Sequence, residues 1–260
     1  MISIEEAQRR ILELVSPLTD TETVRLQEAW GRVLAEDVSA PFDVPPLANS
    51  AMDGYAIRAQ DTASRVALKV VAEVPAGTYH SREIGPGEAA RIMTGAPLPP
   101  GTDTVIPQEK VERHGEYIHC SGPLPVGANV RLPGEDMRKG EKVLSKGTRI
   151  RPQEMGILSS LGFSTLSVFR QPRVALLSTG NEVVEPGAGR RPGQIYDSNR
   201  FSLWGLLQEM HLIPLDFGIV PDRKEELRER LLAASAQADA VLTSGGVSVG
   251  SYDLVYEVLA

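Results

Sequence analysis

The stretch "RVALLSTGNE", residues 173–182, decides the reading of this chain. Four consecutive apolar residues, Val174 to Leu177, form too short a run for a helix and carry no alternation, as expected of a strand buried on both faces. Gly180 and Asn181 then open a loop. Downstream the pattern repeats: "NRFSLWGLLQEM" (199–210) reads as a helix, "LIPLDFGIV" (212–220) as a strand, and "RKEELRERLLAASAQA" (223–238) as a helix with Leu227, Leu231 and Ala234 on one face. "DAVLTSGGVSVG" (239–250) is a further strand running into a Gly-rich loop, and "YDLVYEVLA" (252–260) starts a helix. Strand alternating with helix implies parallel strands joined by right-handed crossovers, with helices on both faces. Such sheets bind ligands at the carboxyl ends of their strands. Here those ends carry "STGNE" and "TSGGVSVG", which makes that edge the first candidate site.

Toward the N-terminus the text changes. From about Ser64 to Arg151, short β-prone runs such as "VALKVVAEV", "AARIM", "TDTVIPQ", "EYIHCS" and "EKVLSKGTRI" are separated by Gly- and Pro-bearing turns, the pattern of a small all-β module. Pro152 suits the first position of a helix through "QEMGILSSLG", closed by Gly162. Before the module, Ser3 and Glu6 form a capping-box pattern ahead of Ile4, Ala7, Ile11 and Val15 at helical spacing. A second helix is expected through "LQEAWGRVLAEDV" (26–38), and "SAPFDVPP" (39–46) reads as a linker.

Composition excludes several classes. With 260 residues there is room for more than one core. A net charge of -7 and an aromatic content of 5% argue against a nucleic-acid surface. The single Cys120 excludes an internal disulfide and a multi-cysteine metal centre. "MISIEEAQRRILELV" lacks the apolar core of a signal peptide, and no run reaches the ~18 apolar residues of a membrane span. A cytoplasmic, soluble protein is expected.

"GVSVG" (246–250) matches the nucleophile-elbow pattern G-x-S-x-G. A hydrolase of that type needs a histidine after the serine, yet His80, His114, His119 and His211 all precede Ser248. A tight turn that lets backbone amides approach an anion accounts better for Gly245, Gly246 and Gly250, with Ser244 and Ser248 adding hydroxyls. Neither a P-loop nor a G-x-G-x-x-G motif occurs, and the histidines form no zinc pattern, so any metal would be a hard ion held by oxygen. Acids stand where chemistry needs them: Asp53 in "PPLANSAMDGYAI" (45–57), Glu182 in "STGNE", Asp197 in "GQIYDSN", Asp222 before a helix, and Asp253 after the Gly-rich loop. Asp222 and Asp253 are equally readable as helix caps, and Asp197 and Asn199 as turn formers. Asp53, on a loop of small residues with nothing to pack, is the acid least explained by structure. Thr94 and Gly95 precede a proline-rich loop that a β-turn also explains. The basic run Arg131, Arg138, Lys139, Lys142, Lys146, Arg149 and Arg151, against Glu135, Asp136 and Glu141, suits an anionic ligand or a solvated strand face.

Six motifs occur in one order: "SAMDGYAI", "IMTGAPLPPGTDTVIPQE", "GEDMRKGEKVL", "LSTGNEVVEPG", "GQIYDSN" and "TSGGVSVGSYD". Together they make the chain resemble the MoeA-type molybdopterin molybdenumtransferases, the family of the gephyrin E domain. The resemblance implies insertion of molybdate into adenylylated molybdopterin with release of AMP, assisted by Mg²⁺. It implies a homodimer with a shared active site, and a molybdopterin adenylyltransferase as pathway partner. Asp53, Glu182 and Asp253 are then the catalytic and metal-positioning acids. Substrate binding falls to Thr94, Asp136, Lys139, Ser178, Thr179, Gly180, Asp197, Ser198, Asn199, Arg200, Asp222, Ser244, Gly245, Gly246, Ser248 and Gly250, with Ser248 and Arg200 matched to molybdate. The implied fold is α/β and multidomain: an elongated helical/β region (1–45 and 137–170), a small β module (46–136) and an incomplete parallel-sheet domain of molybdopterin-binding type (171–260).

Three departures accompany the resemblance. Asn181 stands where the family often has Asp, Ser251 where it often has an acid, and family members continue past the position of Ala260. Two other classes remain: an adenylyltransferase, which shares the sheet domain but lacks the β module and the "SAMDGYA" loop, and a non-catalytic pterin-binding scaffold.

Overall fold

The computed structural model describes residues 2–63, 67–120, 122–245 and 254–259, and these divide into two compact units. One comprises residues 1–36, 146–159 and 163–260, the other residues 37–145 with 160–162. Along the chain, α1 (Ile4–Leu14) and β1 (Thr21–Arg25) come first. The Ser3 hydroxyl accepts the Glu6 amide, so half of the expected capping box forms. The Glu6 carboxylate turns instead to Arg9 and Arg10. No residue of α1 is buried, although Ile4, Ile11 and Leu14 lie on it.

The expected helix over 26–38 does not form. A single 3-10 turn spans Leu26–Glu28, and Gly31 then takes φ +76°, a left-handed conformation that ends it. The following residues pair as extended chain instead, Val33 with Arg149 and Leu34 with Val168. Tertiary pairing overrides a run of good helix formers.

The second unit is built from β2 (Val38–Ser39), β3 (Asn49–Ser50), β4 (Gly54–Ile57), β5 (Ala67–Val74), β6 (Glu88–Ile92), β7 (Thr104–Pro107), β8 (Val111–His114), β9 (Tyr117–Cys120), β10 (Val130–Arg131) and β11 (Lys142–Leu144). Six of these form a mixed sheet in the order β7-β4-β6-β5-β9-β8, with only β5 and β6 parallel. Side-chain alternation divides its apolar residues between two cores. Tyr55, Ile57, Ile106 and Ile118 enter one, and Ala56, Ala90, Ile92 and Val105 the other. The inner strand β4 and the edge strand β7 are both buried along their whole length. Two short antiparallel ribbons, β2 with β11 and β3 with β10, complete the unit.

The first unit resumes with α2 (Pro152–Ser160), which starts at Pro152 and is followed by Gly162 at φ +81°, as its sequence signals predict. Next, β12 (Thr165–Phe169) pairs antiparallel with β1. The rest alternates: β13 (Arg173–Thr179), β14 (Val183–Val184), β15 (Ile195–Tyr196), α3 (Asn199–Glu209), β16 (Ile213–Val220), α4 (Lys224–Ser235), β17 (Ala240–Ser244) and α5 (Leu254–Leu259). The sheet order β16-β13-β17 is parallel throughout. Buried on both sides, β13 directs Val174 and Leu176 toward Leu207 of α3, and Leu177 toward Leu227 and Leu231 of α4. Each such side chain removed from water contributes roughly 1.5–3 kcal/mol.

One irregularity shapes the edge strand. Between the pairs Leu176↔Asp216 and Ser178↔Ile219, β13 advances two residues while β16 advances three. The additional residue is absorbed as a bulge at Gly218, with φ +72°, whose amide donates to the Asp216 carboxylate at 2.8 Å.

Candidate functional site

The carboxyl ends of β13 and β17 face a cleft of about 140 Å³. Ser178 and Thr179 reach it from β13, Ser244 and Gly245 from β17, Glu182 from the first loop, and Asp197, Ser198 and Asn199 from the start of α3. Parallel strands bring these residues from positions more than sixty apart to one edge, so the topology itself assembles them.

Two glycines permit the close approaches. At Gly180, with φ +137°, an added Cβ would lie 2.7 Å from the Glu182 carboxylate, so Glu182 folds back over bare backbone. At Gly245, with φ +98°, a Cβ would lie 2.9 Å from Thr179 Oγ1 and 3.0 Å from its carbonyl oxygen. The two strand-end loops therefore pack backbone against backbone. Across the same edge Asn199 donates to Ser244 Oγ at 3.0 Å.

Behind the cleft lies a buried charge network. Asp197 Oδ1 accepts the Arg200 amide at 3.1 Å, capping the first turn of α3, and its Oδ2 accepts Arg200 Nε at 2.8 Å. The Arg200 guanidinium also donates to Glu185 at 2.5 Å and to Asp216. Expected to meet an oxyanion, this guanidinium is instead 4% exposed and committed to three carboxylates. Burial pushes the Asp197 carboxyl up, but Ser178 and Arg200 together outweigh it and hold the group below its ordinary value. Ser178 Oγ lies buried at the cleft floor, turned toward the Asp197 carboxylate without a well-formed hydrogen bond among the described residues.

The other sequence-predicted residues distribute as follows. Asp222 does not cap α4, whose N-cap is Arg223. It brackets Asn181 instead: Asn181 N donates to Asp222 Oδ2 at 3.2 Å, and Asp222 N donates to Asn181 Oδ1 at 3.3 Å. In the second unit, Asp53 Oδ1 accepts both the amide and the hydroxyl of Thr94 at 2.7 Å. The Thr94 amide first, and then its hydroxyl, hold the Asp53 carboxyl below its ordinary value. Asp136 pairs with Arg131 at 2.5 Å, and the Lys139 amide donates to Asp43 at 2.7 Å. Three cations of the basic run are ion-paired, Arg131 with Glu135 and Asp136, Lys142 with Asp37, and Arg151 with Glu154. Gly246, Ser248, Gly250, Ser251 and Asp253 lie outside the described residues.

Val183, Ile195 and Tyr196 also line the cleft, and Glu185 and Asp216 hold Arg200, none of them among the residues expected to form the site. Among the described residues no three His, Cys, Asp or Glu side chains gather to hold a metal. The cleft does offer Glu182, whose carboxylate makes no hydrogen bond among the described residues. One hard oxygen donor of this kind fits Mg²⁺ completed by water and substrate phosphates, rather than a protein cage. No helix among the described residues is long and apolar enough to cross a membrane.

Residues 2–162 match the family described as "MoeA N-terminal region (domain I and II)", and residues 175–260 match a "Probable molybdopterin binding domain". The chain is 42% identical over 260 residues to a molybdopterin molybdenumtransferase of Haemophilus influenzae, and 41% identical over 268 residues to one of Nostoc. All of this chain is covered in both, but only 64% and 62% of those relatives. Two structures of a molybdopterin biosynthesis MoeA protein from Pyrococcus horikoshii superpose with TM-scores of 0.84 and 0.87 at 38% identity. They cover 100% and 94% of this chain, and 66% of the other chain in each case.

Proposed function

The chain belongs to the MoeA family, and from that premise we propose that it serves molybdenum cofactor biosynthesis, inserting molybdate into adenylylated molybdopterin with release of AMP. The observation that carries this reading is the strand-end cleft, where Ser178, Thr179, Asn199, Ser244 and Gly245 set hydroxyls, an amide side chain and backbone beside the Glu182 carboxylate. Hydroxyls and strand-end amides bind phosphate or molybdate oxygens, and the water-poor floor strengthens those bonds. Glu182, with Asp53 and Asp253, would hold Mg²⁺, which when bound neutralises charge on the phosphoanhydride. In this proposal Arg200 acts from behind the cleft, fixing Asp197 and the first turn of α3. Asn181 and Asp222 tie the loops after β13 and β16 together.

The same proposal includes a homodimer with a shared site, a cytoplasmic setting and a molybdopterin adenylyltransferase that supplies the substrate. The unburied apolar residues of α1 support association with a second copy. It also includes the three-part division 1–45 with 137–170, 46–136, and 171–260. The test is incubation of the chain with adenylylated molybdopterin and molybdate. Stoichiometric AMP release that requires molybdate is expected. Binding of the pterin without AMP release would mark the chain as a binder, and absence of both would end the reading.

A further inference from the structure

The described lining of the cleft carries two carboxylates, Glu182 and Asp197, and no cation. Arg200, the nearest guanidinium in sequence, is committed to three acids. A cleft of about 140 Å³ also seats only part of an adenylylated pterin, since sites for drug-sized ligands occupy roughly 300–1,000 Å³. The rest of a polyanionic ligand must meet the rim.

One rim element is built for that. Between β14 and β15 the chain reads "EPGAGRRPGQ" (185–194), with two Pro-Gly turns. Gly187 and Gly193 take φ +88° and +87°, and the closing bonds run from Ala188 N to Glu185 O and from Gln194 N to Arg191 O, both 3.1 Å. Proline before a glycine of positive φ is the type II pattern, which presets the turn. Tyr196 Oη donates to Ala188 O at 3.1 Å, and Arg190 Nη1 donates to Gln194 O at 3.0 Å. The arm is thus closed on itself. It holds Arg190 and Arg191 exposed, with no ion pair among the described residues, and Tyr196 on the cleft wall at 47% exposure.

We propose that the Val183–Tyr196 arm is the ligand-reading wall of the cleft, Arg190 and Arg191 taking phosphate oxygens and Tyr196 backing a planar nitrogen heterocycle. The inference rests on the reading of the cleft given above. Guanidinium is suited to phosphate by its planar fork of donors, and a pinned tyrosine ring offers a stacking face at little entropic cost.

Calorimetric titration of the 260-residue chain with AMP, and separately with inorganic pyrophosphate, tests the proposal. Replacing both Arg190→Gln and Arg191→Gln is expected to weaken both probes by at least about tenfold, with partial retention in the double lysine variant. Tyr196→Phe loses the bond to Ala188 but keeps the ring, and relative to it Tyr196→Ala is expected to weaken AMP by about tenfold while leaving pyrophosphate unchanged. A double glutamine variant that binds both probes as the parent does overturns the inference while leaving the cleft reading intact. A parent chain that binds neither probe overturns the cleft reading, and the inference with it.

Discussion

Asp53 and Thr94, 41 residues apart, are clamped by two hydrogen bonds of 2.7 Å onto the same carboxylate oxygen. The second oxygen is left for other work. Asp53→Asn preserves an acceptor for Thr94, so it is expected to melt close to the parent while lowering AMP release on the order of a hundredfold. Asp53→Ala loses the clamp as well and is expected to melt lower than Asp53→Asn. Equal activity of Asp53→Asn and parent would leave Asp53 a purely structural role.

Asp239 accepts both terminal nitrogens of Arg170 at 2.8 Å, and the Arg173 amide at 2.7 Å, joining the entry of β13 to the entry of β17. Arg170 first, and then the Arg173 amide, hold the Asp239 carboxyl down at about 2. A depressed carboxyl contributes stability that is present above its ordinary value near 4 and lost as pH falls toward 2. Asp239→Asn is expected to cost on the order of 1–2 kcal/mol at pH 7 and to flatten the stability profile between pH 4 and 2, read by chemical denaturation.

Removing Arg200 strands Asp197, which is 4% exposed, without its partner. Arg200→Ala is expected to destabilise the first unit by about 3 kcal/mol, because an uncompensated buried charge costs more than the pair contributes. Arg200→Lys keeps the charge but cannot span three carboxylates, and an intermediate loss is expected. Urea unfolding followed by Trp204 fluorescence, in a Trp30→Phe background, measures both.

Two glycines of similar backbone separate strain from contact. Gly187, φ +88°, has nothing within 4 Å of an added Cβ, whereas Gly245, φ +98°, meets Thr179. Gly187→Ala is expected to cost about 1 kcal/mol from backbone alone. Gly245→Ala is expected to cost more and to weaken ligand binding in the cleft, since the β13 and β17 loops must separate. Matched melting and AMP titrations distinguish the two.

The parallel sheet was legible because its signals are local. The unbroken run Val174–Leu177 marks a doubly buried strand, and Leu227, Leu231 and Ala234 at helical spacing are indeed the buried face of α4. The strand-end residues of the cleft follow from topology once parallel strands are read. Residues 26–38 misled because helix propensity is local while the competing partners, Arg149 and Val168, lie more than a hundred residues away. The Arg200 network was hidden for the same reason. Its acids come from a loop, a helix start and an edge strand, with no shared spacing to betray them. Asp222 shows a third case, where a residue well placed for a cap finds a better partner across the sheet edge.

The bulge at Gly218 sets how this part of the chain can change length. Alternation along β16 is reset there, so the residues before and after it follow two independent phases against β13. A one-residue deletion at the bulge would leave Asp216 opposite Leu176, and Ile219 and Val220 opposite Ser178 and Thr179, whereas a one-residue deletion within a regular stretch of β16 would turn the residues on one side of it to the opposite face. Length variation in descendants of this sequence is therefore expected to collect at the bulge and in the turns flanking β16, while the regular stretches of the strand keep their length.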